Sequence, residues 1–116
     1  MSLGADGEAL AKKYLEEKGY ELIKENFRYD RAEIDLIMKN EKAKQLVFVE
    51  VKTRKSKSFG EPQEAVNESK QQQLIKSAEG FLMNNVNYED YEKRFDVVAI
   101  YIDNGKEFIN HLENAF

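Results

Sequence analysis

Two carboxylates and an amine, Asp35, Glu50 and Lys52, lie in two short segments whose other residues are largely apolar. Both segments are typical of β-strands, and a plain core strand would hold no charged side chain at these positions. Carboxylates bind hard divalent cations, and such a cation polarises a phosphate and activates a water. The pattern therefore predicts, in outline, the site of a metal-dependent phosphodiesterase. The alternative is an ion pair between Glu50 and Lys52 at the end of a strand.

The first segment, residues 32–38, has the alternation of a strand. Its even-numbered residues are apolar and share one face: Ala32, Ile34, Leu36 and Met38. The other face holds Glu33, Asp35 and Ile37, because successive side chains of a strand point to opposite sides. Two acidic residues are therefore expected on one side of this strand.

The second segment, residues 46–52, is predicted to be a central strand. One face is formed by the three valines Val47, Val49 and Val51, and the other begins with Leu46 and Phe48 and ends with Glu50 and Lys52. Because both faces begin apolar, both sides of the strand should be buried. Burying Glu50 and Lys52 is expensive unless they are paired or bind an ion. The short polar stretch 40–45 suits a hairpin, so the two strands should be antiparallel neighbours.

A third carboxylate, Glu8, lies near the start of a predicted amphipathic helix over residues 5–18, with Asp6 as its N-cap. Glu8, Ala11 and Leu15 are spaced i, i+3 and i+7, which places Glu8 in line with the apolar stripe. It can therefore point toward the sheet that the helix covers. The alternative is that Glu8 only complements the helix dipole.

Length and composition predict one soluble globular domain over residues 1–116. A hydrophobic fraction of 41% suits a single core, and no apolar run is as long as a membrane span. The absence of cysteine excludes disulfides and thiolate metal sites, and the single histidine, His111, excludes a histidine-rich one. Since no segment has the layout of a signal peptide, the expected compartment is the cytoplasm, with no membrane partner.

Charge is distributed unevenly along the chain. The net charge of −4 does not favour nucleic-acid binding. However, residues 52–57 contain four positive charges and no acid, directly after the predicted site, and Arg28 and Arg31 precede the first site strand. These residues predict a basic rim around an acidic site, and the alternative for 52–57 is a solvated loop.

The remaining pattern predicts an α/β fold with the order α-β-β-β-α-β-β. A first strand is expected over 20–27, and a helix over 65–85 has an apolar face that includes Leu74, Ala78 and Phe81. Lys70 lies one turn before Leu74 on that face. Strands are expected over 95–102 and 107–112, joined by a tight turn. For His111, in the last strand, a surface or structural role is expected.

These motifs together resemble the YraN-like family of bacterial proteins over nearly the whole chain. That family is similar to Holliday-junction resolvases and other restriction-endonuclease-like (PD-(D/E)xK) nucleases. The matching blocks run in chain order: Gly7-Glu8, Glu33-Ile34-Asp35-Leu36-Ile37, Phe48-Val49-Glu50-Val51-Lys52-Thr53-Arg54, Lys70, Arg94-Phe95-Asp96-Val97-Val98 and His111. Ala32 departs from the pattern, since the family usually has glycine there, but no chemical group is lost.

The resemblance implies a restriction-endonuclease-like three-layer fold, a mixed central sheet flanked by helices. It implies that Asp35, Glu50 and the Val51 carbonyl bind Mg²⁺ or Mn²⁺, with Glu8 completing a resolvase-type site. Lys52 would act on the attacking water or stabilise the phosphate. The roles of Asp96 and His111 stay open.

The expected function is metal-dependent cleavage of DNA, with branched structures among the candidate substrates. The expected contacts to nucleic acid are basic residues: Arg28, Arg31, Arg54, Lys55, Lys57 and Lys70. A resolvase-like activity would favour a homodimer, because a four-way junction presents near-symmetric strands. The alternatives are a DNA-binding accessory protein that retains the fold without cleaving, and a structural partner in a DNA-processing assembly.

Overall fold

The computed structural model describes residues 3–54 and 66–116. These ranges form two α-helices and five β-strands, with a short 3-10 helix, Val86–Tyr88, after the second helix. The elements in chain order are α1 Leu3–Glu17, β1 Glu21–Tyr29, β2 Ala32–Asn40, β3 Gln45–Arg54, α2 Glu68–Met83, β4 Glu92–Asp103 and β5 Lys106–Leu112. This order confirms the prediction from the sequence.

The five strands form one mixed sheet in the order β1-β2-β3-β4-β5. Only the β3–β4 pair is parallel, and the other three neighbouring pairs are antiparallel. A parallel pair needs a crossover connection, and α2 lies in the segment that links β3 to β4. The predicted hairpin between β2 and β3 and the central place of β3 are both confirmed.

Apolar side chains on the two faces of β3 belong to two separate core clusters. Val47, Val49 and Val51 pack with the α1 residues Ala11 and Leu15. On the opposite face, the β3 residues Leu46 and Phe48 pack with Leu74, Ala78 and Phe81 of α2. The molecule therefore has three layers, with α1 on one side of the sheet and α2 on the other.

Strand β2 changes face in the middle. Ile34 belongs to the cluster on the α2 side, whereas Leu36 belongs to the cluster on the α1 side. The prediction that the even-numbered residues of 32–38 share one face is therefore wrong. The ladder with β1 is irregular in this part of the sheet: its register shifts between Leu22 and Lys24, and Asn26, with φ 51°, is left out of the pairing between Glu25–Leu36 and Phe27–Ile34.

Helix ends also differ from the prediction. Helix α1 begins at Leu3, so Asp6 lies in its first turn and is not the N-cap. Helix α2 begins three residues after the predicted start, because Asn67 has extended backbone and caps the helix, accepting from Lys70 N at 2.9 Å. No helix within the described ranges is long and apolar enough to cross a membrane.

Candidate functional site

Asp35 lies where β2 and β3 stop pairing. The ladder between these strands runs from Asn40 opposite Gln45 to Leu36 opposite Val49. Just beyond it, Asp35 Oδ2 accepts a hydrogen bond from the Val51 backbone N–H at 2.7 Å. The side chain thus bonds a main-chain group of the neighbouring strand, which fixes Asp35 beside the Glu50-Val51-Lys52 segment.

Glu50 lies on the face of β3 that α2 covers, and it is only 6% exposed. Its Oε1 atom forms ion pairs with Lys52 Nζ at 3.5 Å and with Lys70 Nζ at 3.2 Å. Its Oε2 atom is buried and has no hydrogen-bond partner in the part of the chain that the structure describes. An unsatisfied buried carboxylate oxygen is costly, so this atom is an available ligand for a cation.

The charge of Glu50 affects the charge state of Asp35. Burial and the negative charge of Glu50, with a smaller contribution from Glu8, together raise the pKa of Asp35 to about 7 against the lowering effect of the Val51 N–H. Burial also lowers the pKa of Lys52. The site therefore contains a carboxyl that holds a proton near neutral pH and an amine that gives one up more easily than usual.

Lys70 reaches the site from α2. Burial works against its charged form, yet attraction to Glu50 raises the pKa of Lys70. The sequence placed this lysine among the nucleic-acid contacts. In the structure its ammonium group contacts Glu50, a predicted metal ligand. The first turn of α2, which Asn67 caps, positions Lys70 there.

Glu8 approaches the site from the opposite layer. Burial raises its pKa, followed by the charges of Glu33, Glu25 and Glu50, so it faces the same acidic cluster. Helix α1 can come this close because Gly7 has no side chain. A Cβ atom there would collide with Thr53 Oγ1 on β3.

The sequence assigned no role to Glu33, which the structure brings next to Glu8. The amide of Asn26 lies between them, and its NH₂ group, assigned to the side that faces the two acceptors, donates to each carboxylate at 3.0 Å. The sequence signal that could have identified Glu33 as part of the site is its position two residues before Asp35 in the same motif.

The predicted nucleic-acid contacts have different surroundings. Arg28 lies on β1 and Arg31 in the turn to β2, and both are exposed, while Arg54 ends β3. Lys55 and Lys57 lie outside the described residues. The predicted ligand role of the Val51 carbonyl stays a prediction.

A second charged cluster lies across the sheet from Glu50. Ligand atoms of Asp96, His111 and Glu113 all lie within 4.8 Å of one another, the one such group of three in the described ranges. However, Arg94 already occupies it, with Nε at 2.9 Å from Asp96 Oδ1 and a contact to Glu113 at 3.3 Å. His111 Nε2 lies 2.7 Å from Asp96 Oδ2. The guanidinium supplies the positive charge, so this cluster is structural.

Within the described residues, Glu8, Asp35 and Glu50 do not form such a close group of three. Their chemistry nevertheless fits a cation. Oxygen donors suit Mg²⁺ or Mn²⁺, and the unpartnered Oε2 of Glu50 would gain a partner. A cation would also offset the negative charges that, together with burial, raise the pKa of Asp35.

Comparison with known proteins identifies close relatives along the whole chain. The chain is 43% identical to a UPF0102 protein of Caldanaerobacter subterraneus subsp. tengcongensis, covering 99% of this chain and 94% of the relative. It is 47% identical to a UPF0102 protein of Caldicellulosiruptor bescii, covering 98% and 96%. The model of the family described as "Uncharacterised protein family UPF0102" matches residues 7–100, which include every predicted catalytic residue. The resemblance found in the sequence is thereby confirmed, and the chain belongs to the UPF0102 family.

Proposed function

We propose that this protein is a metal-dependent nuclease that hydrolyses phosphodiester bonds in DNA. The observation that supports this most strongly is the state of Glu50, a buried carboxylate with one oxygen unpartnered among the described residues. Next to it are a carboxyl with a pKa of about 7, Asp35, and an amine, Lys52, whose pKa is lowered. Perturbed groups that converge on one point are typical of catalytic sites.

Asp35, Glu50 and the Val51 carbonyl would hold Mg²⁺ or Mn²⁺, and Glu8 would complete the acidic site. A bound ion supplies Lewis-acid polarisation of the phosphate and lowers the pKa of water. Lys52 would orient the attacking water, take its proton or stabilise charge on the phosphate, and its lowered pKa makes the neutral amine that accepts a proton easier to form.

Basic residues near the site would contact the DNA backbone. Arg28, Arg31, Arg54, Lys55, Lys57 and Lys70 are the proposed contacts. Branched DNA is the proposed preferred substrate, and a homodimer would present two sites to its near-symmetric strands. Such backbone contacts would make binding sensitive to salt.

The second candidate function is a DNA-binding accessory protein that does not cleave. One observation favours it: Lys52 and Lys70 both pair with Glu50, so the carboxylate is neutralised by the protein's own amines. In that function the two lysines would be phosphate contacts.

A cleavage assay tests the proposal. Labelled branched, duplex and single-stranded DNA are incubated with the protein in Mg²⁺ and in Mn²⁺, beside Asp35→Asn and Lys52→Ala. We expect both variants to lose about 10²-fold or more of the cleavage rate, while Lys52→Ala still binds the metal. The matched control is Lys42→Ala, since Lys42 is exposed at the other end of the β2–β3 hairpin. Binding of branched DNA without cleavage in either metal would favour the accessory function.

A further inference from the structure

Asn26 has an unusual backbone at the point where the site is assembled. It lies on β1 with φ 51°, in the left-handed region, between regular partners: Glu25 pairs with Leu36, and Phe27 pairs with Ile34. Asparagine tolerates this region better than most residues. Asn26 and Asp35 are the residues that these two flanking pairs enclose on the two strands, and they are not themselves paired.

The side chain of Asn26 connects two layers of the protein. With the NH₂ group assigned to the side that faces the two carboxylates, its amide donates to Glu8 Oε1 of α1 and to Glu33 Oε1 of β2, each at 3.0 Å. Without a donor between them these two carboxylates would only repel each other, and the charge of Glu33 is, after burial, the largest cause of the raised pKa of Glu8. One NH₂ group, which has two N–H donors, can satisfy both acceptors.

We infer that Asn26 is a positioning residue, whose amide joins Glu8 to Glu33 and fixes the Glu8 carboxylate beside Asp35. The left-handed backbone of Asn26 places the amide between α1 and β2, and the absence of a side chain at Gly7 lets α1 come close enough. The consequence for metal binding rests on the proposed function, whereas the contact between Asn26 and Glu8 does not.

A double-mutant cycle without metal tests the contact. Asn26→Gly removes the amide but keeps a residue that adopts positive φ without strain, so it isolates the side chain. Unfolding constants are measured in urea with a chelator for the wild type, Asn26→Gly, Glu8→Ala and the double variant. We expect the effect of the double variant on the unfolding constant to differ by about fivefold from the product of the two single effects. The reason is that either single variant already loses the direct hydrogen bond, so the second substitution cannot lose it again.

Two further variants sharpen the cycle. Asn104→Gly is the matched control, because Asn104 also has positive φ, 50°, but lies in the β4–β5 turn, and its effect should multiply with that of Glu8→Ala. Asn26→Asp keeps the shape of the side chain and replaces the donor by a negative charge. In that background Glu8→Ala should stabilise the fold, because it removes a repulsion. Effects that multiply in both the glycine and the aspartate cycles would overturn the inference.

A Mn²⁺ titration of the same proteins separates this inference from the proposed function. Residues that orient metal ligands typically contribute 10–100-fold in affinity, so we expect binding to weaken about tenfold in Asn26→Gly. A wild type that binds no Mn²⁺, with coupled cycles, would overturn the proposed metal site and leave the contact standing. Mn²⁺ binding with uncoupled cycles, or with equal affinity in Asn26→Gly, would overturn the positioning role and leave the metal site standing.

Discussion

Asp35 and Glu50 have opposite electrostatic surroundings although they belong to one site. Glu50 has two ammonium groups on a single oxygen, whereas Asp35 has one backbone donor and the repulsion of neighbouring acids. In the absence of metal, removing the charge of Asp35 should therefore stabilise the fold. Removing the charge of Glu50 should destabilise it, because Lys52 and Lys70 would lose their partner.

The raised pKa of Asp35 predicts a specific dependence of stability on pH. Because the folded chain holds this proton more tightly than the unfolded chain, the stabilising contribution is complete below the ordinary pKa of 3.8 and is lost as pH rises to about 7. The free energy of unfolding of Asp35→Asn, relative to that of the wild type, should therefore rise by on the order of 1–3 kcal/mol as the pH rises from about 5 to about 8. Urea unfolding with a chelator measures this, and parallel pH profiles would contradict it.

Lys70 competes with a cation for Glu50. Its ammonium lies 3.2 Å from Glu50 Oε1, so Lys70→Gln should strengthen Mn²⁺ binding by about threefold to tenfold, as expected for one partly exposed charge. Lys76→Gln is the control on the same helix, since Lys76 pairs with Asp30 instead, at 2.9 Å. Weaker Mn²⁺ binding in Lys70→Gln than in the control would show that Lys70 supports the metal site.

Helix α1 and strand β3 meet at a contact that only glycine permits. In most helix positions Gly→Ala stabilises by about 1 kcal/mol. At Gly7 the new Cβ would collide with Thr53 Oγ1, so Gly7→Ala should instead destabilise by about 1–3 kcal/mol.

Thr53→Ala provides the test of that cause. It removes Oγ1 and leaves the Thr53 Cβ contact at 3.1 Å, so it should recover part of the stability lost in Gly7→Ala. Urea unfolding of the two single variants and the double variant measures this recovery. A Gly7→Ala protein more stable than wild type would mean that α1 does not approach β3 this closely.

At the level of elements, the sequence predicts what depends on local pattern. The order of helices and strands and the burial of β3 on both faces follow from apolar periodicity, and both are confirmed. The change of face within β2 does not follow from periodicity, because it accompanies irregular pairing with the neighbouring strand, where the register shifts between Leu22 and Lys24 and Asn26 has a left-handed backbone. The start of α2 depends on the cap by Asn67, which an apolar pattern does not show.

The contacts that organise the whole molecule join residues far apart in the chain, and single-sequence patterns do not reveal them. Lys70 contacts Glu50, which is 20 residues away in the sequence, and His111 contacts Asp96, which is 15 residues away. The Asp96 carboxylate also accepts from Asn114 N at 3.0 Å, which fixes the C-terminal residues against β4. Near them the Phe116 ring stacks on Phe95, with ring centres 4.9 Å apart.

Asp96→Asn should therefore act on the fold and leave the candidate site unaffected. Asp96 is 1% exposed and paired with Arg94, and breaking a buried pair typically costs about 3–5 kcal/mol. We expect a loss of that order in urea unfolding, with Mn²⁺ affinity unchanged while the variant remains folded. A loss of Mn²⁺ binding with unchanged stability would assign Asp96 to a metal site.

The central claim is that Asp35 and Glu50 form the cation site, although Asp96, His111 and Glu113 form the tighter group of donors. Isothermal titration with Mn²⁺ of the wild type, Asp35→Asn and Glu113→Gln decides between the two groups. Both substitutions replace one acid by its amide, and neither removes a buried apolar contact. We predict that Asp35→Asn abolishes Mn²⁺ binding and that Glu113→Gln leaves it unchanged. Binding that survives in Asp35→Asn and disappears in Glu113→Gln would contradict the account.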